Sequence, residues 1–240
     1  MENLSYIGLS RQLALRSLMD VTANNIANMN TPGFKAQNIQ FREYLNKTPA
    51  EGEKISQVRD AGTYRDLGQG VLSPTYNKLD VAVQGDGYFA VQTPEGTRYT
   101  RAGSFSLNSN GEIVTKTGYQ VLSDGGSPLA VQPGAANITI SEGGTVSSEK
   151  GSIGKLKLVT FEDEKGIKAM GDNLYSAGST QEVPVEKPQV VQGMLENSNV
   201  QPVVEMNKMI ELLRMYQSTQ NMLITDHELM RGMIQKLTKV

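Results

Sequence analysis

From Met206 to Leu237 the chain repeats apolar residues at alternating steps of three and four. The row is Met206, Met209, Leu213, Tyr216, Gln220, Leu223, His227, Met230, Ile234 and Leu237. Only Gln220 and His227 are polar. That spacing places the row along one side of a helix and predicts a seam of the coiled-coil kind. Ile210, Leu212, Met222, Ile224 and Met233 widen the stripe. The helix starts near Pro202, a residue tolerated in a first turn. It runs roughly 35 residues and about 50 Å, where an ordinary helix has about 11–12 residues. A helix that long outruns the body this chain can build and needs partners elsewhere.

The other end carries a second helical pattern over residues 3–28. Leu4, Ile7, Arg11, Ala14, Leu18, Val21 and Asn25 form one row, and Leu15, Met19, Thr22 and Ile26 run beside it. Two adjacent rows make a wide apolar stripe. The helix ends in Thr22-Ala-Asn24-Asn25-Ile-Ala-Asn28-Met-Asn-Thr31-Pro-Gly33-Phe34-Lys35. Asparagine competes for backbone hydrogen bonds, Pro32 biases Thr31 away from helical angles, and Gly33 permits positive φ. Locally this is a helix stop. Its counterpart is Gly193-Met-Leu-Glu-Asn197-Ser-Asn199-Val-Gln-Pro202, which reads as a helix start. Both stretches read as hinges.

Between them the period is two. Leu79–Gln84 and Tyr88–Thr93 flank Gly85-Asp-Gly87, a hairpin signal. Ser104–Asn108 and Glu112–Thr115 flank a turn ending in Asn110-Gly111. Thr97–Thr100, Gln120–Leu122, Asn137–Ser141 and Lys155–Phe161 are further strands, with turns at Gly143-Gly144 and Glu164-Lys165-Gly166. Short strands between glycine turns imply an antiparallel sandwich or barrel-like body. Residues 35–78 show no sustained period. They read as an extended segment with short strands lying along other structure. The fold class is therefore mixed α+β, a β-rich antiparallel body between two long terminal helices. The expected division is 1–34 helix and hinge, 35–78 connecting segment, 79–192 body, and 193–240 hinge and heptad helix.

Composition narrows the function. The 240 residues carry a net charge of −2, which offers no general field for nucleic acid or an anionic membrane. There is no cysteine and only one histidine, so a nitrogen- or sulfur-ligated metal site is disfavoured. No apolar run approaches the roughly 20 residues that cross a bilayer, and Glu2, Arg11 and Arg16 do not suit a secretory signal. Membrane insertion is not expected.

Apparent chemical motifs dissolve on inspection. His227-Glu228 begins like a zinc-protease motif, but Arg231 stands where its second histidine belongs. Gly85-Asp-Gly87 leads into a strand, where a dinucleotide fingerprint needs a helix. Ser106–Ile113 lacks the acidic ends of a calcium loop. Glu162-Asp163-Glu164 reads as a solvated loop. No catalytic constellation, cofactor or metal is expected.

The assembled motifs resemble a known family, the bacterial flagellar rod and hook proteins. They are Val21–Lys35, Gly85–Val91, Tyr99–Phe105, Gly111–Leu122 and Gly193–Met206. They span nearly the whole chain. The opening Met1–Gln12 and the modest length are similar to proximal-rod members, with distal-rod members as the nearest rival. The resemblance implies a non-enzymatic structural subunit of the axial drive shaft. It implies export by the flagellar type III apparatus without a cleaved signal, and a basal-body location spanning the periplasm. It implies that the terminal helices pair as a coiled-coil-like stem, with other rod proteins and copies of itself as partners. The assembly surface is then Leu4, Ile7, Ala14, Leu18, Val21, Met206, Met209, Leu213, Tyr216, Leu223, Met230, Ile234 and Leu237. The hinge motif is Asn24, Asn25, Asn28, Thr31, Gly33, Phe34, Asn197, Asn199 and Pro202. The methionines of the last helix suit neighbours of slightly different shape. An extracytoplasmic β-scaffold module binding glycan or protein is the competing reading.

Overall fold

The computed structural model describes residues 2–47, 54–135, 137–164 and 166–237, and their side chains apart from those of 2–5, 42–61 and 237. Leu4 and Leu237 lie in helices, but their side chains are outside the described set, as is Lys165 of the Glu164-Lys165-Gly166 turn. The chain divides into two compact units. One comprises Met1–Ala27, Gln37–Asp66 and Val200–Val240, the other Asn28–Ala36 and Leu67–Asn199.

The first unit holds both helices, α1 (Glu2–Ala27) and α2 (Pro202–Leu237), and a hairpin of β1 (Gln37–Lys47) and β2 (Lys54–Arg65). The hairpin pairs from Gln37↔Arg65 to Lys47↔Lys54, with a bulge between Ile39 and Phe41. Short strands were expected here, and these have 11 and 12 residues. Their order rests on a backbone ladder that continues on both sides of the bulge and on α1, which packs against both. A ladder of main-chain hydrogen bonds leaves no period-two signature in the sequence.

α1 and α2 pack on each other. Leu15, Thr22 and Asn25 of α1 are buried, and Met19 and Ile26 half-buried. On α2 the buried residues are Leu212 and Thr219. The covered side is thus centred one residue before Leu213 and Gln220. Thr219 tolerates burial because its hydroxyl donates to the Met215 carbonyl at 2.9 Å. At Gly8 a Cβ would come within 2.6 Å of Leu223 Cδ2, so the missing side chain sets how closely the helices approach.

The second unit is the β body. It contains β3 (Leu72–Pro74), β4 (Val81–Val83), β5 (Tyr88–Thr93), β6 (Gly96–Thr100), β7 (Phe105–Leu107), β8 (Ile113–Thr115), β9 (Gln120–Val121) and β10 (Ile138–Ile140). It continues with β11 (Thr145–Ser148), β12 (Gly151–Lys155), β13 (Leu158–Phe161), β14 (Lys168–Gly171), β15 (Leu174–Ser176), β16 (Glu182–Pro184), β17 (Val190–Gln192) and β18 (Met194–Glu196). Every described pairing between named strands is antiparallel. The largest sheet runs β14-β15-β6-β5-β9-β8-β7, with β13 joining β5 to β16. β10-β11-β12, β17-β4 and β18-β3 form smaller sheets.

β5 is the central strand, covered on both faces. Phe89 and Val91 enter one core with Val81, Phe105, Ile113 and Val121. Tyr88 and Ala90 enter a second with Tyr99, Phe161 and Tyr175. Its rings meet edge-on or tilted, as the aromatic quadrupole favours. The Asn110-Gly111 turn joins β7 and β8 as a hairpin. Gly85-Asp-Gly87 does not join a hairpin. β4 pairs with β17, and β5 pairs with β6, β9 and β13. The loop is a corner between sheets, and the reason is Arg101. Its guanidinium donates to the carbonyls of Val83, Gly85 and Gly87, turning the loop inward.

Candidate functional site

Two places hold the residues singled out from the sequence. The first is the surface of the helical unit. Ile7, Met206, Leu213 and Ile234 are exposed; Ala14, Leu18, Val21, Met209, Tyr216, Leu223 and Met230 are half-buried. The inward row of α1 is the second one, through Leu15 and Thr22. The chain leaves Tyr6, Leu9 and Leu13 exposed on the other side. These three lie outside the longest apolar row of the helix. Their own 3–4 spacing was the available signal.

At the end of α1, Asn25 fixes the chain that leaves and returns. Its Oδ1 accepts the Gln37 N–H at 2.8 Å, and its Nδ2 donates to the Gln37 carbonyl at 2.9 Å and to Glu205 at 3.3 Å. Asn24 reaches the Gln37 side chain at 3.3 Å. Pro202 opens α2. These three residues of the hinge motif belong to the helical unit.

The other six belong to the body. The Thr31 hydroxyl donates to Asn28 Oδ1 at 3.2 Å, and the Phe34 N–H to the Thr31 carbonyl at 3.2 Å. Gly33 sits at φ 70° and donates to the Glu196 carbonyl at 2.7 Å. A Cβ there would lie 2.6 Å from Ala102 N, so glycine is required both by backbone angle and by space. Asn199 accepts the Ala36 N–H at 2.7 Å and donates to the Gly68 carbonyl at 2.9 Å. The Asn197 N–H donates to the Val71 carbonyl at 2.9 Å and its Nδ2 to Ser73 Oγ at 2.8 Å.

A buried ion cluster locks this loop. Glu196 Oε1 accepts Lys35 Nζ at 2.6 Å and the Gly70 N–H at 3.0 Å, while Oε2 accepts Arg101 Nε at 2.6 Å. Lys35 also donates to the Gly68 carbonyl at 3.0 Å. The Lys35, Arg101 and Glu196 side chains are 4%, 4% and 1% exposed. Two cations face one carboxylate, and the carbonyls of residues 68, 83, 85 and 87 take up the excess. Burial pushes the Glu196 carboxyl up, but the Arg101 charge and the Lys35 hydrogen bond outweigh it and hold it below its ordinary value. The cluster was missed in the sequence. The signal was there: each charged residue sits inside a motif that is otherwise turn or apolar.

Asn108 Oδ1 accepts the N–H groups of Asn110 and Glu112, so that loop is an Asx turn. His227 is exposed on α2. Among the described residues no group of three or more His, Cys, Asp or Glu is placed to hold a metal ion, and no helix is long and apolar enough to cross a membrane.

Comparison with known proteins agrees with the motif order. Three family models match: "Flagella basal body rod protein" over residues 6–35, "Flagellar hook protein FlgE/F/G D1 domain" over 82–148, and "Flagellar basal body rod FlgEFG protein C-terminal" over 191–236. The chain is 40% identical to the flagellar basal-body rod protein FlgF of Caulobacter vibrioides, over the full length of both. It is 34% identical to FlgF of Mesorhizobium japonicum over 91% of each chain. It is 32% identical to the rod protein FlgG of Bacillus subtilis over 95% of this chain and 97% of that one.

Proposed function

The chain belongs to the flagellar basal-body rod proteins, most like those named FlgF, and from that premise we propose that it polymerises into the rod through its terminal helices. One observation carries this reading. Both helices already cover one side, yet each keeps large apolar residues on another. Tyr6, Leu9 and Leu13 stand out on α1, and Val203, Met206, Ile210, Leu213 and Ile224 on α2. Apolar surface of that extent on a free helix points to further burial, worth about 25 cal/mol per Å² of area removed from water.

In this reading α1 and α2 form a coiled-coil-like stem. Segments 1–34 and 193–240 carry assembly, 79–192 is the β-rich body and 35–78 connects them. Other rod proteins and further copies of the chain cover the exposed rows. Subunits leave the cytoplasm through the flagellar type III apparatus with no cleaved signal and assemble across the periplasm. The Asn/Pro/Gly motifs serve as hinges whose two halves are each held firmly by their own unit.

Fractionation tests the reading. An epitope-tagged, motility-competent copy should be recovered in purified basal bodies with its N-terminus intact. Inactivating the export apparatus should hold it in the cytoplasm. A protein that stays cytoplasmic in swimming cells contradicts the proposal.

A further inference from the structure

α1 and α2 run antiparallel. Asn25 meets Glu205 at 3.3 Å, and Gly8 lies against Leu223. Continuing that register brings the start of α1 level with about residue 229 of α2. The last two turns of α2 therefore run past the start of α1.

A depression lies there. Thr225, Glu228, Leu229, Gly232, Met233 and Lys236 surround a volume of about 290 Å³. Their spacing is that of two successive holes in a knobs-into-holes surface, sharing Leu229 and Gly232. Gly232 forms the floor: a Cβ there would meet nothing within 4 Å among the described residues. It sits about 200° round the helix from the buried Leu212, so the notch faces away from the side that α1 covers. Leu229 on its rim is 63% exposed. Inside one subunit this glycine only costs helix stability, about 1 kcal/mol against alanine.

The same chain carries the matching knobs. Tyr6, Leu9 and Leu13 are 59%, 52% and 58% exposed and step by three and four. Tyr6 and Leu13 lie about 200° round α1 from Gly8 and Leu15, the inward-facing residues. A row that faces away from α2 cannot reach the notch of its own chain. We propose that the Tyr6–Leu9–Leu13 row of one copy seats in the Gly232 notch of the next. The occupant is a second copy of this chain, and the inference rests on the rod reading above. Row and notch are different surfaces, so the contact is heterologous and adds copies in an open series.

The chain has no cysteine, which makes the test clean. Tyr6→Cys, Leu9→Cys and Leu13→Cys are each combined with Gly232→Cys in the full-length protein, expressed in place of the parent. Basal bodies are isolated and treated with a short thiol-to-thiol cross-linker. At least one pair should give dimers and higher multiples of this chain, while Arg11→Cys with Gly232→Cys, on the other side of α1, should not. Protein present in basal bodies but cross-linked in no pair, or only to a different protein, overturns the proposal. Parent protein absent from basal bodies sinks the rod reading instead. Gly232→Leu fills the notch while favouring the helix. It should melt no lower than the parent and leave most cells unable to swim. Undiminished swimming overturns the proposal as well.

Discussion

Lys35, Arg101 and Glu196 show how three residues far apart in sequence hold one loop. Removing one member of a buried ion cluster leaves an uncompensated charge and costs roughly 3–5 kcal/mol. Glu196→Gln should therefore lower the melting temperature of the body sharply at pH 7. Lys35→Met should cost less, because Glu196 and Arg101 remain a balanced pair. The pH dependence follows from the depressed Glu196 carboxyl. Its ordinary value is 4.5 and its folded value lies below that. The stability it contributes is present above pH 4.5 and is lost as pH falls below it through the folded value. Melting curves of the parent should drop through that acid window more steeply than those of Glu196→Gln. Parallel curves would show that the cluster does not carry acid stability. The sequence marks each of the three as a charge inside a turn or apolar motif, but a Lys, an Arg and a Glu in separate motifs carry no sign that they meet.

At the scale of elements, the sequence showed both helices, the Asn110-Gly111 hairpin and most central strands. Periodicity reports which face of an element is buried, and these elements each bury a face. It failed where burial was not periodic. The β1–β2 hairpin is held by backbone pairing and by α1, and β4 parts from β5 because Arg101 claims the corner between them. On α2 the covered centre lies at Leu212 and Thr219, one residue before Leu213 and Gln220 of the apolar row, since a small threonine can face a close neighbour where a leucine ranks higher on hydropathy. This separates two substitutions that the sequence treats alike. Leu213 is 44% exposed, so Leu213→Asp should change monomer stability by no more than about 0.5 kcal/mol and still prevent rod completion. Leu223 lies against Gly8, so Leu223→Asp should also loosen α1 from α2. Limited proteolysis, combined with motility of the complemented strain, checks the difference. Equal protease resistance of the two variants would contradict the assignment of Leu223 to the intramolecular face.

At the scale of the whole molecule, each unit has its own means of order. The body has two apolar cores around β5 and a buried ion cluster. The helical unit has a covered face and exposed apolar rows on other sides. That difference suits a subunit whose body is complete alone and whose helices are completed by neighbours. The motif order announced the family from the sequence, and the comparisons show it. Which apolar row of α1 stays exposed, and that a notch opens at Gly232, emerged only from the structure. The central claim is that this chain is a working part of the rod. Electron microscopy of basal bodies purified from a strain lacking the gene tests it most directly. The account predicts rods missing or cut short, restored when the full-length chain is supplied. Complete, normal rods in the deletion strain would contradict it.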